Sequence, residues 1–160
     1  MQLETQRLAL HPLTVEELKK LAERYRGEDA ELTKAYTDMA EGCRQHPAQY
    51  LWYTAWGICL RETGAMIGDG GFKGLPPDGR PEIGYGLESP YWGQGYATEA
   101  AEALCRWALE QPGVTAIEAE TAPDNAASQR VLAKLGFEPT GVIGEEGPRF
   151  RLTGEKEESQ

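Results

Sequence analysis

Within residues 84–100 a strand pattern gives way to a helix pattern, and two glycines, Gly93 and Gly95, stand at the change. In the extended segment at residues 82–87, Ile83, Tyr85 and Leu87 share one face. Glu82, Gly84 and Gly86 share the other, which is nearly bare. From Ala97 onward, Ala97, Ala100, Ala101, Leu104, Trp107 and Ala108 recur at helical spacing and form one apolar stripe. Glycine lets the main chain turn sharply and lets a ligand come close to it, because no Cβ intervenes. The first N–H groups of a helix have no partner within it and carry partial positive charge. A turn that gathers several of them is suited to a phosphate or a diphosphate.

The residues leave several uses of this turn open. It can be a plain turn before a solvated helix start. A dinucleotide site calls for G-x-G-x-x-G, and Thr98 stands where the third glycine belongs. A nucleotide triphosphate loop calls for Gly-Lys-Ser/Thr, which is absent. A coenzyme A diphosphate turn is the remaining use, and the wider context resembles the GNAT family of N-acetyltransferases. Gly95 and Ala97 match the last two defined positions of that family's Gln/Arg-x-x-Gly-x-Gly/Ala motif, with Trp92 in the Gln/Arg position. The string at residues 92–100 is similar to the ribosomal-protein N-terminal acetyltransferase branch.

Sixteen basic residues against 26 acidic ones, net −10, argue against a partner that is a nucleic acid and suit a cationic acceptor such as an amine. No apolar run approaches the ~18 residues of a membrane span, and no signal segment is expected at Met1. Cys43, Cys59 and Cys105 form no C-x-x-C pair. Cys59 and Cys105 read as small core residues, and a reduced, cytoplasmic setting is the expectation. A chain of 160 residues forms one domain. Residues 1–153 are assigned to it, and 154–160 to a flexible acidic tail.

Along the chain, residues 5–13 read as a strand stopped by Pro12. Thr14 with Glu17 has capping-box spacing for a helix that Gly27 can end. A second helix is expected at 29–40, a strand at 51–60, and its hairpin partner at 65–73. A Pro/Gly loop precedes the strand at 82–87. The glycine-led helix follows, then a strand at 115–121, a helix opened by Asn125, and strands at 137–143 and 149–153. Trp52 and Trp56 suit either a dimer face or a packed strand, so monomer and homodimer both stay open. Taken alone, these elements give an α+β domain with helices on a sheet. Their order is that of the GNAT fold. The resemblance implies a mixed, mostly antiparallel sheet, splayed between two central parallel strands, with about four helices.

The resemblance also implies a chemistry. Acetyl-CoA would lie in the gap between the strands at 82–87 and 115–121, pairing with main-chain groups near Gly86, Leu87 and Glu88. Its diphosphate would rest on the N–H groups of Gln94, Gly95, Tyr96, Ala97 and Thr98. A main-chain N–H at Leu87 or its neighbour would polarise the thioester carbonyl. Asn125, Ser128, Lys134, Gly136 and Phe137 match the family's second motif, whereas Leu132 stands where many members carry a tyrosine acid. Ser128 would sit by the sulfur; as a residue it can equally bond the backbone four residues back. Asn125 can cap its helix, hold the pantetheine amide, or do both.

An amine acceptor is mostly protonated at neutral pH, so a carboxylate must take a proton. Glu82 is the expected base and Glu120 the alternative. His11 and His46 stand beside prolines and lack partners at metal-ligand spacing. The implied activity is direct acetyl transfer to a primary amine, a protein N-terminus or a small molecule. A catalytically inactive CoA-binding sensor or scaffold is the alternative.

Overall fold

β1 (Leu3–Glu4) and β2 (Leu8–Pro12) open the chain in the computed structural model, which describes residues 1–154. Thr14 then caps α1 (Val15–Arg24). Its hydroxyl accepts from the Glu17 amide at 3.1 Å while the Glu17 carboxylate accepts from the Thr14 amide at 2.8 Å. That is the reciprocal cap the spacing predicts. Asp29 caps α2 (Ala30–Gln45) by accepting from the Leu32 amide. This helix runs past the expected end at residue 40, because Cys43 continues the buried stripe of Tyr36 and Ala40.

The expected strand at 51–60 is corrected at its start. Pro47–Gln49 make a 3₁₀ turn, α3 (Tyr50–Tyr53) is a helical turn, and β3 begins only at Ala55 (Ala55–Leu60). The turn aims Trp52 at Phe72 and Trp107, with ring centroids 5.1 and 4.7 Å away. Burial of the indole overrides the strand preference of neighbouring aromatics.

β4 (Met66–Phe72) and β5 (Ile83–Leu87) complete an antiparallel sheet in the order β1-β2-β3-β4-β5. After a 3₁₀ turn at Ser89–Tyr91 come α4 (Tyr96–Leu109), β6 (Ala116–Glu120), α5 (Ala126–Lys134), β7 (Glu138–Ile143) and β8 (Pro148–Thr153). The last three strands form a second sheet, β6-β8-β7. One parallel bridge, Glu82 to Glu118, links β5's start to β6. Beyond it the two strands diverge, as the resemblance implies. The class is α+β, with the single turn α3 added to the four longer helices.

α4 covers one face of the larger sheet and α1 with α2 the other. Trp107, buried, packs on Trp52, Trp56 and Phe72, so Trp52 of α3 and Trp56 of β3 both belong to the core rather than to a dimer face. Leu13, Leu18, Tyr36, Ala40 and Ala55 make a separate cluster beneath α1 and α2. Cys43 and Cys105 are buried and Cys59 is half-buried; burial pushes the Cys105 thiol up to about 12. Among the described residues, no helix is long and apolar enough to cross a membrane. The tail assigned to 154–160 lies, from residue 155, outside the described residues.

Candidate active site

Gly93 and Gly95 adopt φ values of 76° and 85°, the left-handed region that glycine enters without strain. Gly95 is the N-cap of α4, and the first backbone bond of the helix runs from the Glu99 amide to the Gly95 carbonyl at 3.1 Å. Among the described residues, the amides of Gln94, Gly95, Tyr96, Ala97 and Thr98 find no acceptor in the chain. Unpaired N–H groups at the start of a 14-residue helix are an anion site by their dipoles alone.

The turn is braced from behind by residues the sequence does not single out. The Arg7 guanidinium donates to the Gln94 carbonyl at 3.0 Å, lies 4.3 Å over the Tyr96 ring and pairs with Glu99 at 2.7 Å. Thr5 and the Arg7 amide donate to the other Glu99 oxygen. Against the upward push of burial, these donors hold the Glu99 carboxyl below the usual carboxylate range. Trp92, the departure from the family motif, is 65% exposed and its indole N–H donates to the Leu87 carbonyl at 2.8 Å. The indole thus ties the turn to the end of β5.

Below the turn lies a cleft of about 530 Å³, lined by Gly86, Leu87, Gly95, Tyr96, Ala97, Thr98, Asn125 and Ser128 among others. Pockets of ~300–1,000 Å³ are the usual size for small-molecule sites. It meets a second cavity of about 310 Å³ that holds Glu82, Gly84 and Glu120. Tyr85, Asn125 and Ser128 line both, so the opening passes between β5 and β6. Glu88 and the Gln94 side chain stand outside the cleft. A wider concavity lies behind α4, beside β1, and its walls carry Glu4, Glu99, Glu102 and Glu110.

The expectation for the pantetheine edge narrows. The Glu88 amide donates to the Ile67 carbonyl at 2.9 Å, so the alternate residues Gly84, Gly86 and Glu88 direct their main-chain groups at β4. Tyr85 and Leu87 direct theirs into the gap. With the Leu87 carbonyl taken by Trp92, the Leu87 N–H is left facing the cleft.

Asn125 caps α5, accepting from the Ser128 amide at 3.0 Å. The Ser128 hydroxyl lies 3.3 Å from the Tyr85 hydroxyl rather than bonding back along its helix. Burial pushes the Tyr85 phenol up, offset in part by that contact. Leu132, 1% exposed, is core. The tyrosine hydroxyl beside Ser128 thus comes from β5, not from α5. Its inward position on the strand was legible, but its partner on α5 was not.

Glu82 stands at the start of β5 with both carboxylate oxygens engaged, one by Lys73 at 2.9 Å and the other by Arg149 at 3.3 Å. Glu120 accepts from the Glu146 amide and from Arg149, which hold its carboxyl below the usual range. His11 is half-buried at the end of β2, and exposed His46 stacks on Tyr53 at 4.3 Å.

The sequence model described as the acetyltransferase (GNAT) domain matches residues 7–138. The chain belongs to the GNAT family. This GNAT domain is 36% identical over 87 residues to an uncharacterized N-acetyltransferase, p20, of Bacillus licheniformis, covering 54% of this chain and 49% of that protein. It is 37% identical over 89 residues to the uncharacterized N-acetyltransferase YoaA of Bacillus subtilis, covering 55% and 50%. The matches thus span about half the length of these curated relatives. Among solved structures, an acetyltransferase from Agrobacterium tumefaciens superposes with a TM-score of 0.75 at 24% identity, over 96% of this chain and 95% of the other. A RimL ribosomal-protein acetyltransferase in complex with coenzyme A gives 0.70 at 16%, over 96% of this chain and 98% of that one. These likenesses establish the fold of the GNAT domain.

Proposed function

We propose that the protein transfers an acetyl group from acetyl-CoA directly to a primary amine. The observation that carries this reading is the row of unpaired amides at residues 94–98, set at the mouth of a cleft that continues between β5 and β6. The diphosphate would rest on those amides, with the Thr98 hydroxyl beside them. The pantetheine arm would run along the open edge of Tyr85 and Leu87, past Asn125. This path would bring the thioester to Ser128, and the Leu87 N–H would polarise its carbonyl. Holding amine and thioester together supplies much of the remaining rate.

Ser128, with Tyr85 3.3 Å behind it, would return a proton to the departing thiolate. Glu82, on the face of β5 that it shares with Gly84 and Gly86, is one candidate for the base. To accept a proton it has to release Lys73 or Arg149. The acceptor is a protein N-terminus or a small primary amine, and the net charge of −10 suits either as a cation. Three free cysteines suit a reducing cytoplasm.

A catalytically inactive CoA-binding module is the second reading, favoured by the ion pairs that engage both Glu82 and Glu120. Calorimetric titration with acetyl-CoA, followed by thiol release with a panel of primary amines, tests both. Binding with turnover supports the transferase, and binding without turnover across the panel supports the module. Absence of binding removes both.

A further inference from the structure

On the face of the larger sheet that α1 and α2 cover, His11, Gly57, Asp69 and Gly86 stand opposite one another across four strands. Directly opposed residues in antiparallel pairs project to the same side. Tyr36 of α2 reaches this row, and its hydroxyl donates to Asp69 Oδ2 at 2.6 Å. Beside Asp69 the face is open, because a Cβ built on Gly84 or Gly86 would meet nothing within 4 Å. Among the described residues, Asp69 makes no ion pair and its Oδ1 accepts no hydrogen bond. Among the described residues, no fully buried side-chain oxygen is left without a partner, so Oδ1 keeps some contact with solvent.

We propose that Asp69, rather than Glu82, is the catalytic base that receives the acceptor's ammonium group and takes its proton, with Tyr36 as the positioning residue that holds the carboxylate. The proposal rests on the reading of the protein as a CoA-dependent N-acetyltransferase. With the cofactor on the α4 and α5 side, only the opposite side of the thioester is left to the amine. Gly84, Gly86 and Asp69 form that side. A half-buried carboxylate with one neutral partner favours a cation, and its two rivals, Glu82 and Glu120, already hold cations. Burial pushes the Asp69 carboxyl above the usual carboxylate range, offset in part by the Tyr36 bond. That narrows its distance from an amine near pKa 10 and makes proton transfer less uphill.

The step balances. The ammonium N–H bond breaks and its proton passes to Asp69 Oδ1. The nitrogen lone pair forms the C–N bond at the thioester carbonyl carbon, and the C–S bond breaks. The thiolate takes the Ser128 hydroxyl proton, the second nitrogen proton passes through solvent to restore that hydroxyl, and Asp69 returns the first proton to solvent, so that the N-acetylated amine and CoA thiol leave.

The test uses the full chain and the variants Asp69→Asn, Tyr36→Phe and Glu82→Gln, with folding checked by circular dichroism. n-Butylamine is titrated calorimetrically into free and CoA-saturated protein, and thiol release from acetyl-CoA is followed with the same amine. Expected for Asp69→Asn are amine binding weakened at least tenfold, kcat/KM for amine lowered on the order of 10²-fold, and an unchanged KM for acetyl-CoA. Tyr36→Phe should raise the amine KM several-fold with a smaller change in kcat, and it answers the question if Asp69→Asn does not fold. Wild-type behaviour in both variants, or a loss carried by Glu82→Gln instead, overturns the proposal. Failure of the protein to bind CoA would remove the transferase reading separately, because amine binding to the free protein still reports on Asp69.

Discussion

The hydroxyl of Tyr85 on β5 lies 3.3 Å from the hydroxyl of Ser128 on α5, across the opening between the two sheets. Two hydroxyls at that spacing can pass a proton toward the cleft, and they do so from elements far apart in the chain. Replacing Ser128 by alanine should lower kcat about 10²-fold, the scale of a lost acid catalyst, with little change in acetyl-CoA affinity. Tyr85→Phe should give a smaller loss. Steady-state thiol release and calorimetry on the same preparations check both.

Gly95→Val should abolish acetyl-CoA binding while leaving the core intact. At φ 85° a β-branched residue is strained, and its Cβ would stand 3.2 Å from the Arg7 guanidinium. The turn would shift and its amides with it. The expected result is an affinity loss of at least ~10²-fold, or about 3 kcal/mol, read by calorimetry with far-UV circular dichroism unchanged.

Glu99 gives an acid-sensitive contribution to stability. Its carboxyl is held below the usual range in the folded chain by Thr5 and Arg7, against the upward push of burial. A depressed carboxyl stabilises the fold above its ordinary value of about 4.3, and that contribution is lost as pH falls through the lowered folded value. Glu99→Gln should cost about 1 kcal/mol at neutral pH, a figure reduced for solvent screening. Its denaturation midpoint should also fall less than that of wild type below about pH 4. Urea melts across that range decide it.

Trp107→Ala should destabilise the domain by about 3–5 kcal/mol. The indole is buried and meets Trp52, Trp56 and Phe72, which α3, β3 and β4 bring to it. A linear-extrapolation urea titration measures the loss.

Much of this was legible where one physical rule acts over a few residues. The Thr14 and Asn125 caps, the left-handed glycines at 93 and 95, and the inward side of α4 each follow from spacing alone. The start of β3 was not, because Trp52 answers to Phe72 and Trp107 rather than to its neighbours. Arg7 and Glu99 lie 92 residues apart, and no local pattern pairs them. The engagement of Glu82 by Lys73 depends on how β4 pairs with β5, and that by Arg149 on how the second sheet brings β8 near. A carboxylate on a strand can be read from sequence, whereas the cations that occupy it cannot.

Pairing between β5 and β6 stops at the Glu82–Glu118 bridge. From there, each sheet turns a raw border inward, where no stray chain can zip onto it. A pantetheine arm lying there, as proposed, would be read mostly by the backbone, whose atoms are the same for every amino acid. The side chains on the acceptor side would then be free to change with the amine without rebuilding the seat of the cofactor.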